Sequence, residues 1–437
     1  MSRAGGFSLV YTQATQGAWR RLPTPIRAVG SRLAKGLGLR PAPPPDKAAE
    51  ADIRPGPLVV SGFFEDERGV ARAGALTLNG FREAGFRPIA HDLTSMLRPD
   101  VKEAKPPDCS GGVWVVHCNA PEAAYVLRRH VELSTSPSYR IGYWAWELPQ
   151  APEEWLELTS YFHEIWTPSS FAAHAFAGVS ALTRVMPHPV SASPARRQAS
   201  HEGGTRFLTF ADLRSTAARK NPVGAIEAYK RAFPEPFEAN LVVKLSAVEA
   251  DPASYDQIRT AIAGRSDISL VTARLSEEEL QHLRVQADVL ISLHRAEGFG
   301  LTVAEAMADG KAVVATGWSG NVEYMSPDGA TQLVPSTLVD VGEGLGIYGS
   351  EQQWAEPDLA LAASLIRRLA DDPGLRARLG DCNRLAISAL STPWSQDALS
   401  ALPLARWLAQ PAEARHPRRA EQPTIGLADP ENARRWG

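Results

Sequence analysis

Apolar and polar positions alternate in blocks along the chain from residue 57 onward, and these blocks predict strands and helices in turn. Short apolar runs rich in branched side chains predict buried strands, and longer runs with a helical period predict the helices between them. In the first half, the predicted strands are 58–61, 113–117, 140–144, 164–167 and 183–186, and the predicted helices are 70–84, 121–130 (with Asn119 as its cap), 153–162 and 169–176. This βαβ alternation predicts a parallel, doubly wound sheet.

A second block of the same kind follows residues 187–204, which are rich in Pro, Ser, Ala and Gly and which we predict to be an interdomain linker. Its predicted strands are 206–210, 241–245, 268–272, 288–294 and 312–316, and its predicted helices include 221–233, 253–263, 302–309, 359–370, 375–390 and 396–408. The pattern therefore predicts an α/β chain with two doubly wound domains. We divide the chain into 1–55, 56–198, 199–395 and 396–437, with ligands expected at the carboxyl ends of the strands.

Length and composition fit this organisation and narrow the function. A chain of 437 residues with 44% hydrophobic positions can build two α/β cores. The net charge of −3 gives no general attraction to nucleic acid. Cys109, Cys118 and Cys382 are scattered, which favours a reducing compartment and argues against a metal cluster. We expect a cytoplasmic protein, because no long apolar run and no secretory signal pattern is present.

Residues 1–55 differ from the rest because basic side chains dominate and a proline cluster, Pro41 to Pro45, follows them. The favoured interpretation is a disordered basic extension. The alternative is an amphipathic segment in which Trp19, Ile26 and Leu33 rest on anionic lipid, which would place the protein at the inner membrane face. We expect the polar tail from residue 410 to be mobile.

Residues 289–325 carry the strongest chemical signal. Gly298 and Gly300 leave room for a ligand to approach the backbone, and Thr302 with Glu305 has the spacing of a capping box. The free amides of residues 299–303 would favour an anion at the start of the following helix. The alternatives are a simple tight turn for the glycines and a purely capping role for Glu305. Glu297 is harder to explain structurally, because a carboxylate beside such amides would repel an anion unless it faces a hydroxyl.

Glu297 and Glu305 are separated by seven residues, and the surrounding string resembles the donor-site signature of the family-4 retaining glycosyltransferases of the GT-B fold, of bacterial polysaccharide or lipopolysaccharide type. The match extends to upstream and downstream positions: Ser292, His294, Arg295, Gly317, Ser319, Gly320 and Asn321. This resemblance implies two Rossmann-like domains that face each other across a cleft. It also implies that Glu297 contacts the donor sugar and that Glu305 contacts the ribose of the nucleotide.

Arg214, Arg219 and Lys220 precede the helix that Asn221 and Pro222 open, where cations can bind a diphosphate. They resemble the family's basic residues on the corresponding loop, with Lys220 as the best match and either arginine as its companion. Solvated surface charge is the alternative. His117 ends a predicted strand and resembles a histidine that faces the donor sugar in the family, although a lone histidine is more often structural.

The acceptor side is less well defined. The loop that ends at Gly69 resembles the family's first glycine-bearing loop. Trp144, Trp146 and Glu147 offer aromatic rings and an acid that can bind a sugar, although burial in a strand explains the tryptophans equally well. Arg274, Leu275 and Glu279 are weaker candidates for the rim of the nucleotide-base site.

Together these features predict transfer of a hexose-type sugar from a nucleotide-diphosphate sugar to a glycan or lipid-linked glycan, with retention, in cell-surface polysaccharide synthesis. No cofactor and no metal are expected, since no suitable Asp-x-Asp pair is present. A non-catalytic nucleotide-sugar-binding partner and a sugar-nucleotide epimerase are the alternatives. The sugar, base, acceptor and linkage stay open. The predicted catalytic residues are Glu297, His117 and Lys220. The predicted donor-binding residues are Arg214, Arg219, Lys220, His294, Arg295, Gly298, Phe299, Gly300, Leu301, Thr302 and Glu305, and the predicted acceptor-side residues are Gly69, Trp144 and Glu147.

Overall fold

The computed structural model describes residues 43–409 apart from 67, 99–100, 193–203, 237–238, 326–331, 344 and 346. Residues 1–42 of the predicted basic extension 1–55, the predicted mobile tail from residue 410 and most of the predicted linker lie outside the described residues. For residues 43–55 the prediction of disorder is wrong, because this segment packs on the first domain: the carbonyl of Asp46 accepts from Nη2 of Arg140 at 2.8 Å, and Ile53 is buried. Within the described ranges, no helix combines the length and the apolar character that crossing a bilayer requires.

The first sheet is parallel throughout and has the strand order β2-β1-β3-β4-β5-β6. Every residue of β1, β3 and β4 is buried, as expected of strands covered on both faces. The strands are β1 (Leu58–Gly62), β2 (Ile89–Asp92), β3 (Val113–Val116), β4 (Tyr139–Tyr143), β5 (Glu164–Thr167) and β6 (Leu182–Val185). The helices are α1 (Gly69–Glu83), α2 (Ala120–Arg129), α3 (Val131–Thr135), α4 (Glu153–Leu158) and α5 (Ser170–His174).

The second sheet is also parallel, in the order β12-β11-β10-β7-β8-β9. Its strands are β7 (Thr205–Asp212), β8 (Ala239–Ser246), β9 (Ile268–Val271), β10 (Val289–Ser292), β11 (Ala312–Thr316) and β12 (Gln332–Val334). Its helices are α6 (Ala217–Lys220), α7 (Pro222–Ala232), α8 (Pro252–Ile262), α9 (Glu277–Gln286), α10 (Leu301–Ala308), α11 (Leu359–Asp371) and α12 (Pro373–Ser388). An antiparallel hairpin, β13 (Ser336–Asp340) and β14 (Gln353–Pro357), separates β12 from α11.

The end of the described chain returns to the first sheet. After α12 come the 3-10 turn Ala389–Trp394, the short helix α13 (Gln396–Ser400) and the 3-10 turn Pro403–Trp407. Their buried side chains, including Trp394 and Leu404, join the apolar cluster of β1, β3 and β4. The ring of Trp407 stacks on Tyr139 with 4.2 Å between centroids. The last elements therefore stabilise the first domain, although they follow the second domain in the chain.

The prediction of two doubly wound α/β halves is confirmed, and most predicted elements are present within a few residues. The pattern missed β2, β12 and the hairpin of β13 and β14. Asn119 is the N-cap residue of α2, as predicted. Its side chain makes no capping bond, because its Oδ1 accepts from the backbone N of Ala145 at 2.9 Å.

In both sheets the chain reverses its direction of progress across the sheet next to the first strand. The reversal lies between β1 and β3 in the first sheet and between β7 and β10 in the second. Loops that leave two such strands at their carboxyl ends diverge and leave a crevice between them, which is where ligands of open α/β sheets bind. Ser169, just after β5, donates to the carbonyl of Gly298, just after β10, at 2.5 Å, so the crevice sides of the two domains are in contact.

Candidate functional site

The crevice of the second sheet is built by the segments that follow β7 and β10. Asn221 has a left-handed backbone (φ 51°), and its Oδ1 accepts from the N of Gly224, which caps α7 as predicted. Its Nδ2 donates to the carbonyl of Leu293 at 2.8 Å. The N of Arg295 donates to the carbonyl of Arg219 at 2.7 Å. These bonds join the two segments and bring Arg219 and Lys220 next to Glu297.

Glu297 lies at the centre of the crevice and is buried. Its Oε1 is 2.5 Å from Nζ of Lys220, and its Oε2 is 3.3 Å from Nη1 of Arg219. Burial alone would raise the pKa of Glu297, but Lys220 and Arg219 outweigh this and lower the pKa to about 2. The carboxylate is therefore ionised throughout the physiological range and is held by two cations.

The backbone of Glu297 is fixed as tightly as its side chain. Its backbone N donates to Oγ of Ser319 at 2.8 Å, and its carbonyl accepts from the N of Gly320 at 2.9 Å. A Cβ on Gly298 would lie 2.9 Å from the carbonyl oxygen of Trp146, and a Cβ on Gly320 would lie 2.2 Å from the carbonyl oxygen of Gly298. The predicted need for glycine in this loop is thus a need for close backbone packing, including packing across the domains.

Helix α10 begins directly after this loop. Gly300 is its N-cap with φ 82°, a left-handed conformation that glycine adopts without strain. The prediction of Thr302 as N-cap and of a Thr302–Glu305 capping box is wrong, because the turn at Gly300 starts the helix before Thr302. Leu301 and Thr302 lie in the first turn, and the ring of Phe299 is buried against His188 and Tyr324. The first backbone N–H groups of α10 have no acceptor within the helix, and they lie at its crevice end.

Glu305 is buried on α10 and is paired with two arginines. Its Oε1 is 2.8 Å from Nε of Arg72, on α1 of the first domain, and its Oε2 is 3.2 Å from Nη1 of Arg284, on α9. The capping explanation of Glu305 is therefore excluded. A ribose hydroxyl at Glu305 would have to share or replace one of these guanidinium groups.

The three predicted diphosphate cations have different surroundings. Arg219 is 3% exposed, and its guanidinium contacts Glu297, Glu147 and the carbonyls of Ala296 and Ser215. Lys220 is 21% exposed beside Glu297. Arg214 is 37% exposed, pairs with Asp212 at 2.7 Å and lines a cavity of about 480 Å³. This distribution makes Arg214 and Lys220, and not Arg219, the cations that a ligand can reach.

The 480 Å³ cavity lies between the two domains at the carboxyl ends of β7, β8 and β9. Most of its charged lining residues are basic and they come from both domains, with Arg68 and Arg98 from the first, and Arg214, Lys244 and Arg274 from the second. Asp66 and Glu249 also line it. Leu275 lines the cavity beside Arg274, where the sequence placed the rim of a nucleotide-base site. A cavity of this size and charge can accept an anionic nucleotide.

His294 and Arg295 are close to Glu297 in the chain, but their side chains have protein partners. His294 is fully buried, with Nε2 3.0 Å from Oδ1 of Asn321, and burial lowers its pKa despite the nearby Glu297. Arg295 pairs with Glu356 at 2.6 Å and lies over the ring of Trp354. In the described structure both side chains hold the loop in place.

His117 directly follows β3, on the first-domain side. Its ring stacks on Tyr143 with 4.2 Å between centroids. Neither ring nitrogen has a hydrogen-bond partner among the described residues, although the side chain is buried. Burial lowers the pKa of His117 to about 3, so the imidazole is neutral and retains one donor and one acceptor.

The predicted acceptor-side residues do not share one environment. Gly69 is the first residue of α1, and a Cβ there would meet nothing within 4 Å. Trp144 is fully buried against Trp155, Phe162 and Phe176, so no sugar can stack on its ring, and the packing explanation is correct. Glu147 lies 3.6 Å from Arg219 and accepts from the hydroxyl of Tyr348 at 3.2 Å.

Sequence reasoning missed Arg72, Arg284, Ser169 and Tyr348 as members of this site. Each contacts a predicted residue from a distant part of the chain, and none belongs to a local pattern that could have identified it. Among the residues that the structure describes, no group of three or more His, Cys, Asp or Glu side chains has an arrangement that could hold a metal ion. The polar groups gathered here are therefore carboxylates paired with Lys and Arg.

Residues 169–382 match a family model described as family 4 glycosyltransferase in conflict systems. The MMP alpha-(1->4)-mannosyltransferase of Mycolicibacterium hassiacum is 34% identical over 148 residues, which are 34% of this chain and 30% of that protein. The matched stretch is thus less than a third of that relative's length.

Two solved structures are similar to this chain in overall fold. Anabaena Alr3699/HepE, in complex with UDP and glucose, has a TM-score of 0.57 at 14% identity and covers 79% of this chain and 99% of its own. A glycosyltransferase from Rickettsia africae ESF-5 has a TM-score of 0.54 at 13% identity, with 79% and 96% covered. At such low identities the likeness establishes the fold.

Proposed function

Since the chain belongs to the family-4 glycosyltransferases and has their GT-B fold, we propose that it transfers a hexose-type sugar from a nucleoside diphosphate to a hydroxyl acceptor, with retention at the anomeric carbon. The observation that carries this proposal is the position of Glu297. Its buried, ionised carboxylate lies between Lys220 and Arg219 at the crevice of the second sheet. An anionic acceptor of this kind binds sugar hydroxyls strongly, and the adjacent cation Lys220 suits a diphosphate.

The leaving group of this reaction is a nucleoside diphosphate, so the site must stabilise negative charge that develops on it. We propose that this charge is stabilised by Lys220, Arg214 and the backbone amides of residues 299–301. Arg214 is preferred over Arg219 because it is the arginine that lines the cavity. Arg219 then orients Glu297 from the protein side. We propose that these cations make a metal ion unnecessary.

In the chemical step the bond from the anomeric carbon to the diphosphate oxygen breaks, and a bond to the acceptor oxygen forms on the same face. The acceptor's proton passes to an oxygen of the departing phosphate. Glu297 holds the sugar hydroxyls, and Glu305 holds the ribose after an exchange of partners with Arg72. His117 is neutral, and among the described residues its ring nitrogens have no hydrogen-bond partner, which supports a hydrogen bond from its ring to the donor sugar.

A glycan or lipid-linked glycan in cell-surface polysaccharide synthesis is the proposed acceptor. Support comes from the hexose chemistry in the names of the relatives, a mannosyltransferase and a structure with UDP and glucose. The description of the matching family names a glycosyltransferase and places it in conflict systems, a biological setting different from cell-surface polysaccharide synthesis. Contact of residues 1–50 with an anionic membrane remains a prediction.

Thermal unfolding with UDP, GDP and other nucleoside diphosphates is the first test, because a ligand that binds only the folded state raises the melting temperature. A shift with UDP supports a glucose-type or galactose-type donor, and a shift with GDP supports a mannose-type donor. Release of the same diphosphate from the matching nucleotide sugar then measures turnover. We expect turnover to persist in EDTA; a loss that added Mg²⁺ or Mn²⁺ restores would contradict metal independence.

Glu297→Gln should lower this turnover at least 100-fold, because the charge that orders the sugar is lost while the shape is kept. Glu227→Gln is the matched control, since Glu227 pairs with Lys230 on the surface of α7. Tight diphosphate binding without turnover on any nucleotide sugar, with or without candidate acceptors, would instead support a non-catalytic binding partner. Conversion of the free nucleotide sugar into its epimer would support an epimerase.

A further inference from the structure

The hairpin of β13 and β14 belongs to neither six-stranded sheet and packs on the first domain. Its buried residues Val341, Tyr348 and Trp354 share one apolar cluster with Trp146 and Trp155. The ring centroids of Tyr348 and Trp146 are 5.5 Å apart. The hairpin is therefore a part of the second half of the chain that is seated in the core of the first.

The same hairpin is also fixed to the loop that carries Glu297. The N of Ala355 donates to the carbonyl of Arg295 at 2.9 Å. The side chain of Arg295 pairs with Glu356 through distances of 2.6 and 3.1 Å. Because β14 is hydrogen-bonded directly to Arg295, the position of β14 is coupled to that of Glu297, which lies two residues after Arg295 in the chain.

A line of polar contacts leads from the hairpin to Glu297. The hydroxyl of Tyr348 donates to Oε2 of Glu147 at 3.2 Å, and Oε1 of Glu147 is 3.6 Å from Nη2 of Arg219. Nη1 of Arg219 is 3.3 Å from Oε2 of Glu297. Burial, together with Glu147, raises the pKa of Tyr348 despite the nearby Arg219, so the phenol stays protonated and donates.

Arg219 therefore has a carboxylate on each side, one from each domain. Without Glu147, Nη2 of Arg219 would keep only the carbonyl of Ser215 at 3.3 Å and would lose its charged partner. Without the hydroxyl of Tyr348, the Glu147 carboxylate would lose a hydrogen-bond donor. We propose that Tyr348 and Glu147 are positioning residues of the donor-sugar site, which fix Arg219 and through it Glu297. This inference rests on the proposed glycosyl transfer. In it, the hairpin fixes the orientation of the Glu297 carboxylate, which binds the sugar.

Tyr348→Phe tests the inference because it removes the hydroxyl and keeps the ring in the cluster with Trp146. Turnover of UDP-glucose and GDP-mannose, whichever the wild type uses, should fall roughly ten-fold in kcat with the donor KM within about three-fold, as for a lost hydrogen bond to a charged acceptor. The rise in melting temperature with UDP or GDP should match the wild type, since the cavity lined by Arg214 and Arg274 is untouched. Tyr255→Phe, on α8, is the matched control and should leave kcat unchanged.

Glu147→Gln should lower kcat by a similar factor, and the double variant should be little worse than either single variant, since the two residues act through one contact. Unchanged kcat in Tyr348→Phe and Glu147→Gln, with an active wild type, would overturn the inference. So would additive losses, or a loss of the UDP or GDP shift in parallel with kcat, since either indicates general damage. An inactive wild type across all nucleotide sugars would overturn the proposed function itself, and the inference with it.

Discussion

Glu297 is the residue on which most of the site depends, and its charge should be visible in stability as well as in activity. Its pKa of about 2 in the folded protein lies below the ordinary value of 4.5. A carboxylate with a depressed folded pKa stabilises the fold above its unfolded pKa, and the contribution is lost as the pH falls toward the folded value. The relevant window therefore runs from about pH 4.5 down to about pH 2.

The free energy of unfolding of the wild type should thus exceed that of Glu297→Gln by about 2 kcal/mol more at pH 6 than at pH 3. Urea unfolding of both proteins at the two pH values measures this. Glu227→Gln controls for the loss of a carboxylate at the surface. An equal difference at both pH values would mean that Glu297 is not held as an ion between Lys220 and Arg219.

Gly320 illustrates a backbone constraint at the same site. An added Cβ would lie 2.2 Å from the carbonyl oxygen of Gly298 and 2.9 Å from the N of Phe299, and neither backbone atom can turn aside as a side chain could. Gly320→Ala should therefore cost roughly 1–3 kcal/mol of stability and weaken nucleoside diphosphate binding by moving the loop. Calorimetry and nucleotide titration measure the two effects.

Gly69→Ala is the matched control, because a Cβ at that first position of α1 meets nothing within 4 Å. It should leave stability equal or slightly higher, as alanine is the better helix former. Similar behaviour of the two alanine variants would contradict the packing explanation for Gly320.

At the scale of elements, α7 and the residue before it decide where Lys220 lies. Asn221 has a left-handed backbone, caps α7 and donates to Leu293. Asn221→Gly keeps the backbone conformation easily and loses the side-chain bonds, whereas Asn221→Ala loses the bonds and adds backbone strain. The alanine variant should therefore be at least about 1 kcal/mol less stable than the glycine variant, as measured by chemical unfolding. Equal stability would show that the left-handed turn carries no strain.

The elements that the sequence predicted well are those whose causes are local. The apolar runs of β3 and β11, and the Asn221–Pro222 start of α7, need only neighbouring residues for their interpretation. The prediction of Thr302 as the N-cap of α10 was wrong because the turn at Gly300, two residues earlier, begins the helix. The hairpin was missed because its alternation is weak and its buried face meets Trp146, far away in the chain.

The same distinction applies to the site. Glu297 and Lys220 were identified from the string around each, and the structure places them 2.5 Å apart. The partners of Glu305 could not be predicted, since Arg72 is 233 residues away and belongs to the other domain. Pairings of that kind depend on how two folded halves meet, which no window of sequence describes.

At the scale of the whole molecule, Arg72 and Glu305 form an ion pair that crosses the cleft. Arg72 is 38% exposed and also lies 3.6 Å from Glu277 on α9, while Glu305 is nearly buried and keeps Arg284 as a second partner. Removal of Arg72 would therefore not leave a buried carboxylate unpaired. The pair therefore links α1 of the first domain to α10 of the second.

If Glu305 binds the ribose, Arg72 competes with the nucleotide for that carboxylate. Arg72→Ala should then tighten binding of UDP or GDP several-fold in isothermal titration calorimetry, where a ten-fold change corresponds to about 1.4 kcal/mol. The free energy of unfolding should fall by less than about 1 kcal/mol, because the pair is partly exposed. Arg82→Ala, on the same helix α1 but bonded to Asn79 at the surface, should change neither quantity. Weaker binding in Arg72→Ala would mean that Arg72 itself holds the nucleotide, and unchanged binding would mean that the ribose does not reach Glu305.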